Sequence, residues 1–152
     1  EYAGYAGRVH SALAKLDLAP EYLELELTET AFQHDLRVAS QTLSELCESG
    51  VRLALDDFGT GHSSLTRLRA LPISHLKLDA QFASGLETSA NDRALAKAVI
   101  AMAHELGLEV VCEGVETQGQ MDFLMSNGCD LVQGFLVAKP LSGEKLSFML
   151  AA

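Results

Sequence analysis

The feature that most constrains this chain is a repeated switch of its apolar period, from two to about 3.6 residues and back. Residues 23–27 alternate leucine and glutamate strictly, which is the periodicity of a strand. Phe32, Leu36, Ala39, Leu43 and Leu46 then step by four, three, four and three, an amphipathic helical stripe, with Gly50 in the usual post-helix position. The exchange recurs along the chain. Residues 51–55, 73–78 and 109–112 read as strands, and Leu131–Val132 and residues 135–137 are two short strand candidates. Helices are predicted over residues 5–16, around 64–69, and over 95–106, 117–126 and 142–150. Thr30 with Gln33, and Thr117 with Gln120, have capping-box spacing. Strands alternating with amphipathic helices, at about 20 to 35 residues per pair, predict a parallel sheet with right-handed crossovers. Two closures satisfy this pattern: an open doubly wound sheet and a (β/α)8 barrel.

The 152 residues amount to one domain or part of one, enough chain to bury roughly 70% of its unfolded surface. The net charge of −10 disfavours a basic-patch binder, so no DNA or RNA polymer is expected as a partner. No run of 18 apolar residues occurs and no basic region precedes an apolar stretch, so neither a membrane-spanning helix nor a leader is expected. Cys47, Cys112 and Cys129 are odd in number and lack C-x-x-C spacing, which points to buried thiols of a reducing compartment. The histidines are scattered without an H-x-x-x-H pair, so zinc chemistry is disfavoured.

Polar residues gather at the predicted strand ends. Glu26 lies near the end of the first strand, Asp56 and Asp57 end the second, Lys77 and Asp79 the third, Glu113 the fourth and Gln133 the fifth. Parallel α/β folds build their sites at the C-terminal ends of strands. Alternation places Glu24 with Glu26, Ala54 with Asp56, Lys77 with Asp79, and Val111 with Glu113 on shared faces. Carboxylates facing a barrel interior are costly unless paired or metal-bound, and several from different strands imply a cation. Oxygen ligands select Mg²⁺ or Mn²⁺ over zinc. Two such metals suit in-line attack on a phosphodiester, and adjacent aspartates at a strand end can serve both. Lys77 would orient the attacking water, neutralise charge at phosphorus or, with its pKa depressed by a metal, take a proton. Taken one at a time, these residues have plainer roles: a strand-end aspartate as a helix cap, Glu24 bonded to a neighbour, Lys77 paired with Asp79 or Glu113. Asp57-Phe58-Gly59 lacks the companions of a kinase, and Gly59-Thr60-Gly61 is too short for a dinucleotide or Walker loop.

LELELTET (residues 23–30), DDFGTGHSSL (56–65), LPISHLKLD (71–79), VVCEGVET (110–117) and GCDLVQGFLVAKPL (128–141) together resemble the EAL family of bacterial cyclic di-GMP phosphodiesterases. The resemblance covers nearly the whole chain. It implies a (β/α)8 TIM-type barrel that hydrolyses cyclic di-GMP to linear pGpG with Mg²⁺ or Mn²⁺ in a two-metal site. Carried over by position, it implies metal ligation by Glu26, Asp56, Asp57 and Glu113. It implies that Lys77 stands beside the attacking water and that Gln133 helps hold a metal-bound water, giving a catalytic set of Lys77, Glu113 and Gln133. It implies that Glu116 braces the loop Phe58, Gly59, Thr60, Gly61, His62, Ser63 and Ser64, which in the family couples dimerisation to metal and substrate binding. A homodimer, an upstream sensor or cyclase-like domain, and a site facing the cytoplasm are the corresponding expectations.

The departures are also specific. No Glu-Ala-Leu segment precedes Glu1, and the family's second-strand asparagine is missing. A complete barrel runs to about 250 residues. The chain is therefore expected to be a partial domain over 1–152, truncated to about the last six βα units with the first two strands absent. His62 stands where an aromatic is usual and reads as a loop-packing residue; Cys112 stands where alanine is common and reads as core. Two further readings stand beside the enzyme: a catalytically inactive EAL-type module that binds the dinucleotide or a protein, and a barrel phosphodiesterase for another substrate.

Overall fold

The computed structural model describes residues 4–28, 36–59 and 68–151. Five strands run through it: β1 (Glu24–Thr28), β2 (Arg52–Phe58), β3 (His75–Leu78), β4 (Glu109–Cys112) and β5 (Leu131–Val132). The helices are α1 (Tyr5–Leu16), α2 (Leu36–Glu48), α3 (Ala80–Ser84), α4 (Ala90–Glu105), α5 (Gln118–Ser126) and α6 (Gly143–Leu150), with a 3₁₀ turn at Pro20–Tyr22. The capping pair Thr30 and Gln33, the expected start of the second helix at Phe32, and all but the last residues of the helix expected at 64–69 lie outside the described residues. No described helix is long and apolar enough to cross a membrane.

All strand pairs are parallel, in the order β1-β2-β3-β4-β5. A doubly wound sheet reverses its strand order at a switch point. No reversal occurs among the described strands, so the arc is that of a (β/α) barrel. Its outward face is the core. Leu53, Leu55, Leu76, Leu78, Val110 and Cys112 alternate along β2, β3 and β4, and all are buried beneath the helices. Each such leucine contributes about 1.5–3 kcal/mol relative to exposure. The opposite face, turned to the barrel interior, carries Glu24, Glu26, Ala54, Asp56, His75, Lys77 and Glu109.

Side-chain caps fix several helix starts. Thr117 and Gln120 form the expected capping box on α5, Ser89 accepts from the Asp92 amide at α4, and Ser142 accepts from the Lys145 amide at α6. Asp79 is the cap of α3, a short helix not anticipated from the sequence, and accepts from the Gln81 amide at 2.9 Å. This is the plainer role open to a strand-end aspartate, and it takes Asp79 out of the candidate site.

Two elements differ from expectation. Residues 135–137 form a turn rather than a strand: the amides of Val137 and Ala138 both bond back to the Gly134 carbonyl, at 3.1 and 3.2 Å. The alternation of Phe135 and Val137 imitates a strand, but both are exposed. Second, Asp56 and Asp57 do not end β2. The strand continues to Phe58 through an irregularity between Leu55 and Phe58, where Asp57 takes the left-handed conformation at φ 57°. That conformation costs an ordinary residue about 1–2 kcal/mol, and such bulges re-aim side chains beside sites.

Candidate active site

The interior face brings three carboxylates from three strands onto one ammonium. Lys77 Nζ lies 2.6 Å from Glu26 Oε1 on β1, 3.0 Å from Asp56 Oδ1 on β2 and 2.7 Å from Glu113 Oε1 just past β4. The grouping follows from register. Ala54 stands opposite both Glu26 and His75, and Lys77 stands opposite Val111, two residues before Glu113. The length of lysine lets Lys77 reach strands on both sides of its own.

Lys77 is only 5% exposed. Burial alone would lower its pKa, but the hydrogen bonds that the ammonium donates to Glu113 and Glu26, the nearby Asp56 carboxylate and the Glu113 charge outweigh it and hold the ammonium above the ordinary lysine value. In this arrangement the ammonium is surrounded by the three carboxylates.

The donor chemistry fits a hard divalent ion. Glu26, Asp56 and Glu113 supply carboxylate oxygens at one end of the barrel, with Asp57 beside them on the bulge of β2. Asp56 Oδ1 is buried, and Lys77 Nζ stands near it but out of line, leaving that oxygen without an aligned hydrogen-bond donor. Such an oxygen is suited to a ligand that needs no hydrogen. As they stand, no three described His, Cys, Asp or Glu side chains close a metal cage, and the ammonium sits among the carboxylates.

Other candidate residues fall around this cluster or outside it. Gln133 follows β5 directly and is held by its backbone: its amide bonds the Cys112 carbonyl at 2.8 Å and its carbonyl accepts from the Val115 amide at 3.1 Å. Its side chain is exposed and is not among the partners of Lys77. Gly134 is required here, since a β-carbon on it would lie 2.1 Å from the Val115 carbonyl oxygen. The β5 end and the Glu113–Val115 segment are therefore locked together. Glu116 is exposed, and its amide bonds Gln120 Oε1 at 2.7 Å. Of the loop candidates, Phe58 is buried and Gly59 is exposed, while Thr60, Gly61, His62, Ser63 and Ser64 lie outside the described residues. Cys112 is core, its thiol pushed up to about 12 by burial, and Cys129 likewise to about 11. All three cysteines are free.

One grouping was not foreseen. His75, two residues before Lys77, is buried between Glu24 and Glu109. The signal was the repeated spacing of Glu24 with Glu26 and of His75 with Lys77, which puts a second polar row on the same face.

Comparison with known proteins bears on the family and the fold. The EAL domain profile matches residues 2–140. The cyclic di-GMP phosphodiesterase NbdA of Pseudomonas aeruginosa is 45% identical over 150 residues, 99% of this chain and 19% of NbdA. Among solved structures, the PaMucR phosphodiesterase in complex with c-di-GMP superposes with a TM-score of 0.88 at 41% identity, over 95% of this chain and 58% of that one. The Klebsiella pneumoniae BlrP1 manganese and cyclic di-GMP complex superposes with a TM-score of 0.79 at 34% identity, over 86% of this chain and 33% of that one. The chain thus spans about a fifth of the curated relative NbdA and between a third and three-fifths of these solved chains. With a profile match over most of its length and a barrel arc shared with solved EAL domains, the chain belongs to the EAL domain family.

Proposed function

We propose that this chain carries the principal part of a site that hydrolyses cyclic di-GMP to linear pGpG with Mg²⁺ or Mn²⁺. The observation that carries the reading is the convergence of Glu26, Asp56 and Glu113, from three strands, on Lys77 at one end of the barrel. The NbdA and PaMucR relatives and the BlrP1 manganese complex support the substrate and the metal class.

In this reading Glu26, Asp56, Asp57 and Glu113 would hold two divalent ions. Bound there, the ions would polarise the attacking water and ease departure of the ribose oxygen. Water oxygen bonds to phosphorus, the bond from phosphorus to the 3′ oxygen breaks, and a proton ends on that oxygen. Lys77 offsets negative charge that grows on the phosphoryl oxygens. The Gln133 amide orients the water, placed by the lock between Gly134 and Val115. Glu116 braces the loop of residues 58–64, which couples formation of a homodimer to metal and substrate binding. The protein works on the cytoplasmic side, with a sensor or cyclase-like domain upstream, an organisation that the bifunctional cyclase and phosphodiesterase name of the relative MucR supports.

The test is turnover of cyclic di-GMP by the full-length gene product, with pGpG followed by chromatography at varied Mg²⁺ and Mn²⁺. Metal-dependent pGpG formation is expected, reduced at least about 100-fold in Asp56→Asn, beyond the loss usual for a residue outside the ligand set. Near wild-type turnover in that variant would remove Asp56 from the ligands. A second reading, a module that binds the dinucleotide without cleaving it, draws on the ammonium that occupies the centre of the carboxylates. Tight binding without metal and without turnover would establish it.

A further inference from the structure

Beneath the Lys77 cluster the interior face holds a second polar row, a buried histidine between two more exposed carboxylates, built one strand repeat earlier. His75 is 4% exposed. Its Nε2 hydrogen-bonds Glu109 Oε2 on β4 at 2.8 Å. Its Nδ1 lies 2.6 Å from Glu24 Oε2 on β1 and 3.0 Å from the Ser74 hydroxyl. β1 and β3 are not neighbours; β2 runs between them, and its residue in register with His75 is Ala54, a methyl group. The imidazole therefore ties together strands that no backbone ladder joins.

The two rows share their strands. Glu24 and Glu26 are two residues apart on β1, His75 and Lys77 two apart on β3, and Glu109 and Glu113 lie at the start of β4 and just past its end. The upper row needs such a tie. Among the described strands β1 has a single partner, β2, and the Glu26 side chain is 50% exposed. Glu113 lies beyond its strand and is held there by its amide on the Leu78 carbonyl at 3.0 Å. A metal cradle tolerates displacements of only about 0.5 Å.

We propose that His75, clamped by Glu24 and Glu109, is a positioning residue for the metal cradle, setting Glu26 on β1 and Glu113 beyond β4 at the spacing that divalent ions require. The proposal rests on the phosphodiesterase reading. His75 touches neither metal nor substrate; it acts through the strands. A residue that only stabilised the fold would lower the melting temperature and leave the metal affinity of the folded protein unchanged. A positioning residue changes that affinity in protein that remains folded.

The experiment uses the full-length gene product and two variants. His75→Leu removes both ties but leaves Glu24 and Glu109 close together without the imidazole between them, a repulsion that can by itself disturb the fold. The triple variant Glu24→Gln, His75→Leu, Glu109→Gln removes the ties and the stranded charges together. Mn²⁺ binding is measured by electron paramagnetic resonance, together with kcat and KM for cyclic di-GMP and the melting temperature. The expected result for the folded triple variant is Mn²⁺ affinity weaker by about tenfold, the low end for residues that orient metal ligands. Its kcat falls in limiting Mn²⁺, recovers as Mn²⁺ is raised, and KM stays unchanged. Wild-type Mn²⁺ affinity and kcat in that variant, with only the melting temperature lowered, overturns the proposal. Failure of both variants to fold makes His75 a fold residue and also overturns it. A wild-type protein that neither binds Mn²⁺ nor forms pGpG overturns the phosphodiesterase reading itself, and the proposal with it.

Discussion

Gly59 and the ring of Phe82 are in such close contact that a β-carbon on the glycine would lie 2.5 Å from Phe82 Cε2. Gly59 is also left-handed, at φ 99°. The contact joins the residue after the β2 bulge to α3, whose cap Asp79 follows Lys77 by two residues. Gly59→Ala adds backbone strain of about 1–2 kcal/mol to an overpacking cost of about 1–3 kcal/mol. It should lower unfolding stability by at least about 2 kcal/mol in urea titrations. Adding Phe82→Leu should recover the steric part and leave the backbone part.

Lys77→Met leaves Glu26, Asp56 and Glu113 facing one another without a cation. Breaking a buried ion pair costs about 3–5 kcal/mol, and the partial exposure of the three carboxylates puts the loss near the low end. Without divalent metal the variant should melt well below wild type. Mn²⁺ should raise its melting temperature more than it raises that of wild type, because no ammonium competes for the carboxylates. Equal shifts in the two proteins would count against that competition.

Asp130 gives a pH dependence whose sign is fixed. Burial alone would raise its pKa, but the hydrogen bonds from His104 and the Val110 amide, with the His104 charge, lower it below the ordinary aspartate value. A carboxylate whose folded pKa is depressed adds stability above its unfolded pKa, and this is lost as pH falls through the folded value. The stability difference between wild type and Asp130→Asn should therefore be full near neutrality and close in acid, below the ordinary aspartate range. Parallel melting curves at every pH would contradict this.

The thiols give a chemical test of the core. Burial raises the pKa of all three, Cys112 to about 12 and Cys129 to about 11. At pH 8 a thiol-specific disulfide reagent should modify at most the half-buried Cys47 in native protein, and all three cysteines once the protein is unfolded. Rapid native reaction at Cys112 would mean that β4 does not back onto the core.

The candidate site was largely legible because strand alternation is a strict rule. Knowing only that β1, β3 and β4 are strands puts Glu26, Lys77 and Glu113 near one another at their ends. The sequential strand order then selected the barrel over the doubly wound sheet. What escaped was set by contacts between distant segments. Asp56-Asp57 reads as a strand end, yet pairing of Phe58 with Leu78 carries the strand through a bulge. Phe135 and Val137 alternate like a strand, yet the close approach of Gly134 to Val115 coils them into a turn. The spacing of His75 from Lys77 marks its face but not which carboxylates it meets, because reaching Glu24 across β2 depends on the size of Ala54 and on a register that chain order does not record.

Gly134 and Gly59 would behave differently in a search for second-site suppressors. The obstacle facing Gly59 is a side chain, so a smaller residue at position 82 can partly relieve a substitution there. The obstacle facing Gly134 is the main chain of Val115, its nitrogen and carbonyl oxygen, which every amino acid shares. No exchange at position 115 can make room. A lineage that loses the glycine at 134 has no compensating route through that neighbour, and its only short way back is reversion.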